Sequence, residues 1–242
     1  MKKLITLFFA IVLFGGCIPV PTEVQPTNNE PDTAIEPETN IEGEVQTLAI
    51  TENEDTYTIN VQYPQLNGLD ELNERLKTMA LTEINAFKDQ MADLEIDEEI
   101  ENEFLGSTLE ANYEIYRNDE AVFSVAHEYY VYMSGAAHPY TYTTTLNWDG
   151  EKEIEWVDII SGDQDIPLIL SEMVKADENV VDDWIEEGAG PDAANFDNFT
   201  ITPDSLVIHF DPYEIAAYAA GPQKVEITFE DLGVLLNPEF GA

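Results

Sequence analysis

The sequence predicts an α+β fold in which antiparallel sheets carry two main amphipathic helices. Several stretches alternate apolar and polar residues with a period of two, as strands with one buried face do. Two longer segments carry apolar residues three or four positions apart, which is typical of helices that cover a sheet. Because antiparallel hairpins separate the two helical segments, we expect an α+β fold and not a doubly wound one.

Residues 1–16 have the features of a bacterial signal peptide. Lys2 and Lys3 precede an apolar run, residues 4–14, that is too short to span a bilayer as a stable helix. The run leads to Cys17, the only cysteine of the chain, in a Phe-Gly-Gly-Cys sequence that resembles a lipobox. We expect an extracytoplasmic protein that is lipidated at Cys17 and contacts the membrane through this anchor only, in the outer membrane if the cell has two. An ordinary secretory signal is the alternative.

Residues 17–44 separate the predicted anchor from the predicted fold. They contain five prolines among Thr, Asn and Glu, with few apolar side chains to bury. This composition predicts an extended tether.

The chain is strongly acidic. Fifty Asp and Glu residues stand against 9 Lys and Arg, a formal charge of −41 over 242 residues. This charge repels phosphate groups and argues against nucleic acid or anionic lipid as a partner. The 44% hydrophobic fraction places the charge on a folded protein. Two explanations stay open: solubility in high salt, or attraction of a cationic ligand such as a basic protein or divalent ions.

The predicted fold begins with a hairpin formed by residues 45–50 and 57–61, followed by a helix after Gly68. The apolar stripe of this helix consists of Leu69, Leu72, Leu76, Met79, Phe87, Met91 and Leu94. Three strands follow, and their inward residues are Leu109, Ala111, Tyr113 and Ile115, then Phe123, Val125, Tyr129 and Val131, then Tyr140, Tyr142 and Leu146.

Asp149-Gly150 predicts a hairpin turn between strands at 146–148 and 154–157. A second helix follows, capped by Asp163 or Asp165, with Pro167 in its first turn. Its apolar face consists of Ile166, Leu170, Met173, Val174, Val181, Trp184 and Ile185. Two last strands, around 206–210 and 225–229, enclose a turn-rich segment.

Common catalytic and metal-binding motifs are absent from the sequence. It contains no GxSxG, HExxH, P-loop or GxGxxG sequence, and lipidation would consume the sole thiol. We therefore expect no catalytic residues, no metal and no cofactor.

The three histidines differ in their expected surroundings. His127 is in phase with apolar neighbours, which predicts a core histidine. His209 is out of phase with its neighbours and should face solvent or an adjoining element. His138 lies in a small-residue loop between Tyr-rich strands, where it could face a partner or bond its own backbone. The tyrosines of those strands form either a recognition surface or ordinary sheet packing; they are Tyr129, Tyr130, Tyr132, Tyr140 and Tyr142.

Three blocks carry a family resemblance: residues 130–139 (YVYMSGAAHP), the strand at 140–148, and residues 211–221 (DPYEIAAYAAG). They resemble the extracytoplasmic module shared by the anti-sigma factor RsiV and the N-terminal part of the peptidoglycan deacetylase PdaC. The resemblance covers about residues 45–237. It implies an α+β fold of two closely packed halves, which we place at residues 45–118 and 119–242.

The resemblance also implies a function. In RsiV the module is a receptor that binds lysozyme, so the expected partner here is lysozyme or another basic, envelope-directed protein. The anti-sigma segment of RsiV and the deacetylase domain and HxxxH zinc pair of PdaC have no counterpart in this sequence. We therefore expect a cell-envelope lipoprotein with a noncatalytic binding or sensing role; the alternative is an enzyme or accessory factor acting on peptidoglycan or other glycans.

The blocks supply the candidate binding residues. In the first loop they are Ser134, Gly135 and His138, and in the late block they are Pro212, Tyr213 and Tyr218. For each residue the alternative role is turn geometry or core packing.

Overall fold

The computed structural model describes residues 43–93, 106–161, 165–177, 184–238 and 240. These residues belong to one compact unit, residues 39–242. The predicted signal peptide, Cys17 and nearly all of the tether lie outside the described residues, as do Leu94, Asp163 and Val181. No helix within the described ranges is long and apolar enough to cross a membrane.

The first sheet has five strands in the order of the chain. They are β1 (Val45–Asn53), β2 (Tyr57–Leu66), β3 (Ser107–Asn118), β4 (Phe123–Tyr132) and β5 (Tyr140–Trp148). The predicted hairpin is confirmed, since β1 and β2 pair antiparallel with Ile50 opposite Val61. Strands β2 and β3 are parallel because a helix connects them, and the other neighbours are antiparallel.

The helix between these strands, α1 (Asp70–Asp93), covers one face of the first sheet. Of the predicted apolar stripe, Leu72, Leu76 and Phe87 are buried, and Leu69, Met79 and Met91 are partly buried. Ala80 and Ile84, which the predicted stripe did not include, are buried as well. The strands contribute the other side of this core with Val61, Leu109, Phe123, Val125, Tyr129 and Leu146, among others.

The second half of the chain contains short helices and a three-stranded sheet. The helices are α2 (Trp156–Ile159), α3 (Ile166–Ala176), α4 (Ile185–Gly188) and α5 (Phe229–Leu232). The antiparallel strands are β6 (Phe199–Ile201), β7 (Ser205–Phe210) and β8 (Gln223–Thr228). A second core lies between α3 and this sheet and includes Leu170, Val174, Phe196, Ile208, Phe210 and Val225.

Two predicted elements of this half are wrong. The second helix does not run to Ile185: α3 ends at Ala176, Asp177 adopts an extended conformation, and α4 is a separate turn. Residues 154–157 do not form a strand, because Glu155 caps α2 and only Glu153 makes an isolated bridge, to Trp148. The predicted cap at Asp165 is confirmed, since its carboxylate accepts a hydrogen bond from the Leu168 amide.

The second sheet is attached to the first through its edge strand β6. Ser124 Oγ accepts the Ile201 N–H at 2.8 Å and donates to Asn147 Oδ1 at 2.6 Å. Asn147 Nδ2 donates to the Phe199 carbonyl at 2.8 Å. Side chains of the first sheet thus form hydrogen bonds with backbone N–H and C=O groups on the outer edge of β6, so the two sheets are joined by buried hydrogen bonds. The chain changes sheets after Trp148, whereas the boundary placed at residues 118 and 119 lies between the paired strands β3 and β4.

Candidate functional site: an exposed aromatic row

Three segments bring four aromatic side chains together on the surface. We name Trp184, Tyr213, Tyr218 and His138 the aromatic row. Neighbouring ring centroids are 5.9 Å apart for Trp184 and Tyr213, 5.4 Å for Tyr213 and Tyr218, and 4.2 Å for Tyr218 and His138. Tyr213 is 51% exposed and Trp184 42% exposed. Exposed aromatic rings that contact one another in a continuous series are typical of a recognition surface.

The Pro139 carbonyl holds one end of the row. The Tyr218 hydroxyl donates to it at 2.8 Å, and His138 Nδ1 lies 2.8 Å from the same oxygen. A carbonyl only accepts hydrogen bonds, so Nδ1 carries the proton in this arrangement. The loop after β4 and the loop after β7 are therefore joined at one oxygen atom.

Tyr213 has a backbone conformation that L-amino acids rarely adopt. Its φ is +77°, and among the described residues it is the only non-glycine residue with a positive φ. Its amide donates to the Ala216 carbonyl at 3.1 Å, which closes the turn. A left-handed conformation costs a non-glycine residue about 1–2 kcal/mol. Here the side chain placed by this conformation is exposed and lies in the middle of the row.

Gly188, at the end of α4, allows this helix to contact the loop after β7. A Cβ atom at position 188 would lie 1.8 Å from the Glu214 carbonyl oxygen and 2.5 Å from its carbon. Only glycine permits such close contact between two backbone segments. This contact places α4, and with it Trp184, against the loop that carries Tyr213.

A carboxyl group lies at the base of the same loop. Asp211 Oδ1 accepts the Thr143 N–H of β5 at 2.9 Å, and the Asp211 N–H donates to Glu214 Oε2 at 2.6 Å. Burial raises the pKa of Asp211 to about 7, and the charges of Glu214 and Glu128 add to the shift. Burial also raises the pKa of Glu214. Both carboxyl groups of the loop therefore bind a proton more tightly than they would in water.

The candidates predicted from the sequence fall into two groups, the members of the aromatic row and the residues outside it. His138, Tyr213 and Tyr218 are members of the row. Gly135 has a φ of +86° and shapes the first loop, and the Ser134 amide donates to Ser107 Oγ at 3.0 Å. Pro212 is half-buried beside Tyr213.

Sequence reasoning missed Trp184 and Gly188. It placed Trp184 on the buried face of a long helix, whereas the structure places it at the start of the separate helix α4. Spacing alone does not distinguish an exposed tryptophan from a buried one, and a glycine at this position is an ordinary signal for the end of a helix.

The predicted tyrosine surface of the strands is divided between core and surface. Tyr129 is fully buried and stacks on Tyr142 at 4.9 Å, and the Tyr142 hydroxyl donates to Glu83 of α1 at 2.7 Å. Tyr130 and Tyr140 are each 39% exposed. The packing interpretation therefore holds for Tyr129 and Tyr142.

Two histidines lie inside the protein. His127 is fully buried, as predicted, but neither ring nitrogen has a hydrogen-bond partner among the described residues. Burial lowers its pKa to about 4. His209 faces an adjoining element, the second of the two surroundings expected for it: it is buried, its ring lies 5.3 Å from that of Tyr116 in β3, and Nε2 lies 2.9 Å from Thr200 Oγ1. Burial, followed by the nearby charge of Lys224, lowers its pKa to about 4 as well.

His209 also borders a cleft of about 130 Å³ between the sheets. There the Lys224 ammonium donates to the Tyr116 hydroxyl at 2.6 Å, and Tyr116 donates to Glu114 at 2.9 Å. These polar groups are directed to one another, and they connect β3 with β8. Within the described ranges, no three His, Cys, Asp or Glu side chains are grouped as a metal site.

Two family models match this chain in succession. Residues 50–141 match the deacetylase PdaC family, and residues 158–230 match DUF3298, a family of proteins of unknown function. The chain therefore combines a PdaC-like region with a DUF3298 region, which confirms the resemblance to the RsiV and PdaC module. His138 belongs to the first region, and Trp184, Tyr213 and Tyr218 belong to the second, so the aromatic row contains residues of both.

The curated relatives include the peptidoglycan-N-acetylmuramic acid deacetylase PdaC of Bacillus subtilis, 25% identical over 206 residues. The match covers 82% of this chain and 43% of PdaC. The immunogenic protein MPT64 of Mycobacterium tuberculosis is 31% identical over 99 residues, which are 38% of this chain and 42% of MPT64. The chain thus spans less than half the length of these relatives.

Two solved structures of DUF3298 proteins have the same fold. A Pseudomonas aeruginosa protein matches with a TM-score of 0.60 at 14% identity, and a Bacteroides fragilis protein with a TM-score of 0.53 at 18% identity. Each match covers 82% of this chain and 96% of the solved chain. The predicted α+β class is confirmed.

Proposed function

We propose that this protein is a noncatalytic binding module of the cell envelope, anchored by a lipid on Cys17, whose aromatic row binds a basic, envelope-directed protein. The observation that carries the proposal is the row itself: four aromatic side chains in series, among them Tyr213, which is 51% exposed and has a strained backbone conformation. The relation to PdaC, a peptidoglycan deacetylase by name, supports an extracytoplasmic location.

The chemistry around the row suits a cationic partner. Lysine and arginine side chains bind aromatic faces and carboxylates, and Glu214 and Asp211 lie in the same loop as Tyr213. The net charge of −41 would increase the encounter rate with a basic protein more than the final affinity. Specificity therefore depends on the row and not on the overall charge. Lysozyme is the candidate partner that the family resemblance supplies.

Calorimetry with lysozyme at about 0.15 M salt, where the Debye length is about 8 Å, separates specific binding from general charge attraction. We expect binding to persist at this salt and to weaken at least tenfold in Tyr213→Gly. This variant removes the side chain but permits a positive φ, so the loop keeps its conformation.

Tyr130→Ala is the matched control, because Tyr130 is an exposed tyrosine outside the row. Its affinity should equal that of the unchanged chain. Binding that disappears at 0.15 M salt, or an equal loss in both variants, would contradict the proposal.

The lipid anchor is tested by mass spectrometry of the N-terminus of the protein isolated from its own membrane. We expect a mature chain that begins at Cys17 with a lipid on its sulfur. An unmodified cysteine, or cleavage at another bond, would refute the anchor and leave the proposed binding surface unaffected.

One observation favours the alternative, an enzyme or accessory factor that acts on glycans. A carboxyl group with a pKa near 7, such as Asp211, can act as a general acid at neutral pH. A screen of the purified chain against peptidoglycan fragments and glycosides tests this function. Turnover that Asp211→Asn abolishes would establish the enzyme, and its absence across the screen would favour the binding role.

A further inference from the structure

Strand β1 lies at an open edge of the first sheet, paired with β2 on one side only. The Glu54 amide donates to the Tyr57 carbonyl, so these two residues form a hydrogen-bonded pair of the antiparallel ladder. Such pairs alternate with non-bonded pairs, which directs the N–H and C=O groups of Thr47, Ala49 and Thr51 away from β2. Within the described part of the chain, no group forms a hydrogen bond with these backbone groups.

The other sheet edges in the described ranges are protected, and the edge of β1 is not. The Asp211 carboxylate accepts the Thr143 N–H on the outer edge of β5, and Ser124 does the same for β6. Strand β8 carries the charged residues Lys224 and Glu226. In contrast, residues 45–51 of β1 contain no charged residue and no proline, and their pairing with β2 has no bulge. An edge of this kind is a template for another strand.

One side of helix α1 lies beside this edge. Lys88 forms an ion pair with Glu52 of β1 at 2.6 Å, so this side of the helix faces β1. Leu81 and Glu74 precede Lys88 by 7 and 14 residues, about two and four helical turns, and therefore point in nearly the same direction. Leu81 is 38% exposed. Glu74 is exposed and forms no ion pair with a described residue.

Leu81 and the middle of β1 lie at the same level along the sheet. Helix α1 and β1 run in the same direction, because both begin near the end of β2. From Lys88 back to Leu81 the helix covers about 10 Å, at roughly 1.5 Å per residue. From Glu52 back to Ala49 the strand also covers about 10 Å, at roughly 3.3 Å per residue. An axis through Ala49 and normal to the sheet therefore passes near Leu81.

We propose that this protein forms a dimer in which β1 of one copy pairs antiparallel with β1 of a second copy around this two-fold axis. The two five-stranded sheets then form one sheet of ten strands with both α1 helices on the same face. The two Leu81 side chains meet near the axis and cover Leu48 and Ile50, which are only partly buried in one copy. The proposal requires neither lysozyme nor a lipid anchor.

The charges on α1 favour a second copy of this chain as the partner. A two-fold axis near Leu81 places Glu74, seven residues before it, opposite Lys88 of the second copy, seven residues after it, and the reverse pair forms as well. The helices pack mainly on β2, so three strand spacings, about 14 Å, separate them. Extended Glu and Lys side chains can reach across this separation.

Sedimentation equilibrium of the chain from residue 18 onwards tests the proposal. This form omits Cys17, so neither a lipid nor a disulfide can join two copies, and it retains the compact unit of residues 39–242. Because one strand pair buries a small area, the concentration should extend to about 500 μM. We expect reversible dimers in 1 M NaCl, where the Debye length is about 3 Å, and weaker association at about 0.1 M, where the net charge of −41 repels.

Ala49→Pro removes an outward N–H and leaves the hydrogen bonds to β2 in place. It should weaken dimerisation at least about tenfold. Ala49→Thr is the matched control, because it changes the same exposed side chain and keeps the N–H; its affinity should equal that of the unchanged chain. Thermal melts of both variants verify the fold.

Two charge reversals test the orientation of the copies and do not depend on the folding of Ala49→Pro. Glu74→Lys places two lysines opposite each other, and Lys88→Glu places two glutamates opposite each other. Each variant alone should associate weakly at about 0.15 M NaCl. An equimolar mixture restores both attractive pairs, so it should associate at least about fivefold more tightly than either component.

A chain that stays monomeric in 1 M NaCl, or that forms assemblies larger than dimers, would overturn the proposal. Equal dimer affinities of Ala49→Pro and Ala49→Thr would do so too, as would a mixture that associates no more tightly than its components. Failure of lysozyme to bind would overturn only the proposed function, since none of these measurements requires lysozyme.

Discussion

Replacement of Gly188 by alanine should destabilise the protein and separate the members of the aromatic row. The new Cβ would lie 1.8 Å from the Glu214 carbonyl oxygen, whereas real Cβ atoms essentially never come closer than 3.0 Å to such an atom. The difference, 3.0 minus 1.8, requires α4 and the loop to move apart by 1.2 Å or more. Backbone lies on both sides of the contact, so no flexible side chain can absorb this movement.

Overpacking of this kind costs about 1–3 kcal/mol, and the backbone contact places Gly188→Ala in the upper part of that range, at about 2–3 kcal/mol. For a chain of this size the loss corresponds to a Tm lowered by roughly 5–10 °C. Differential scanning calorimetry measures it.

Gly43→Ala is the matched control, because its Cβ would meet Leu66 at an ordinary 3.5 Å. It should change the Tm by less than about 2 °C. The emission of Trp184 should shift in Gly188→Ala and not in Gly43→Ala. A Tm for Gly188→Ala within 1–2 °C of the unchanged chain would refute the argument that this contact holds α4 on the loop.

Three further predictions concern the core, the pH dependence and the charge. Ser124→Ala leaves the Ile201 N–H without its acceptor, which should cost about 1–3 kcal/mol in urea unfolding; a loss as small as that of the exposed Thr82→Ala would contradict this. His127 has a folded pKa of about 4 against an ordinary 6.5, so its contribution to stability falls as the pH drops from 6.5 towards 4. Thermal melts over this range should show a smaller fall in His127→Leu, and equal slopes would show that His127 is not the cause. Added salt should raise the Tm by screening the repulsion among 50 acidic residues, and a flat or falling Tm would refute this.

Period-two alternation predicted the strands of the first sheet because one face of that sheet is buried under α1. His127 is the clearest case: its phase with Phe123 and Val125 placed it in the core, where the structure has it. The same argument placed His209 on the side of its strand opposite the apolar residues, but it did not identify what covers that side. Thr200 and Tyr116 cover it, and they come from a neighbouring strand and from the other sheet.

Three members of the aromatic row were identified through the family resemblance. The remaining features of the row depend on contacts between segments that are distant in the sequence. The conformation of Tyr213 leaves no trace in composition or spacing, because the residue is not a glycine or an asparagine. Gly188 is needed for a loop that lies 26 positions later in the chain, and local signals indicate only a helix end there. The prediction that one helix runs to Ile185 was wrong because α3 and α4 carry apolar residues at compatible spacing while Asp177 interrupts the helix.

The hydrogen bonds between Ser124, Asn147 and β6 have a consequence for anyone who divides this chain for expression. The two family models meet between residues 141 and 158, which suggests a natural place to cut. A fragment that began there would leave the outer edge of β6 without Ser124, and its exposed N–H and C=O groups would be open to pairing with another molecule. The regions matched by the two family models thus belong to one compact unit, and the second region on its own should be prone to aggregate.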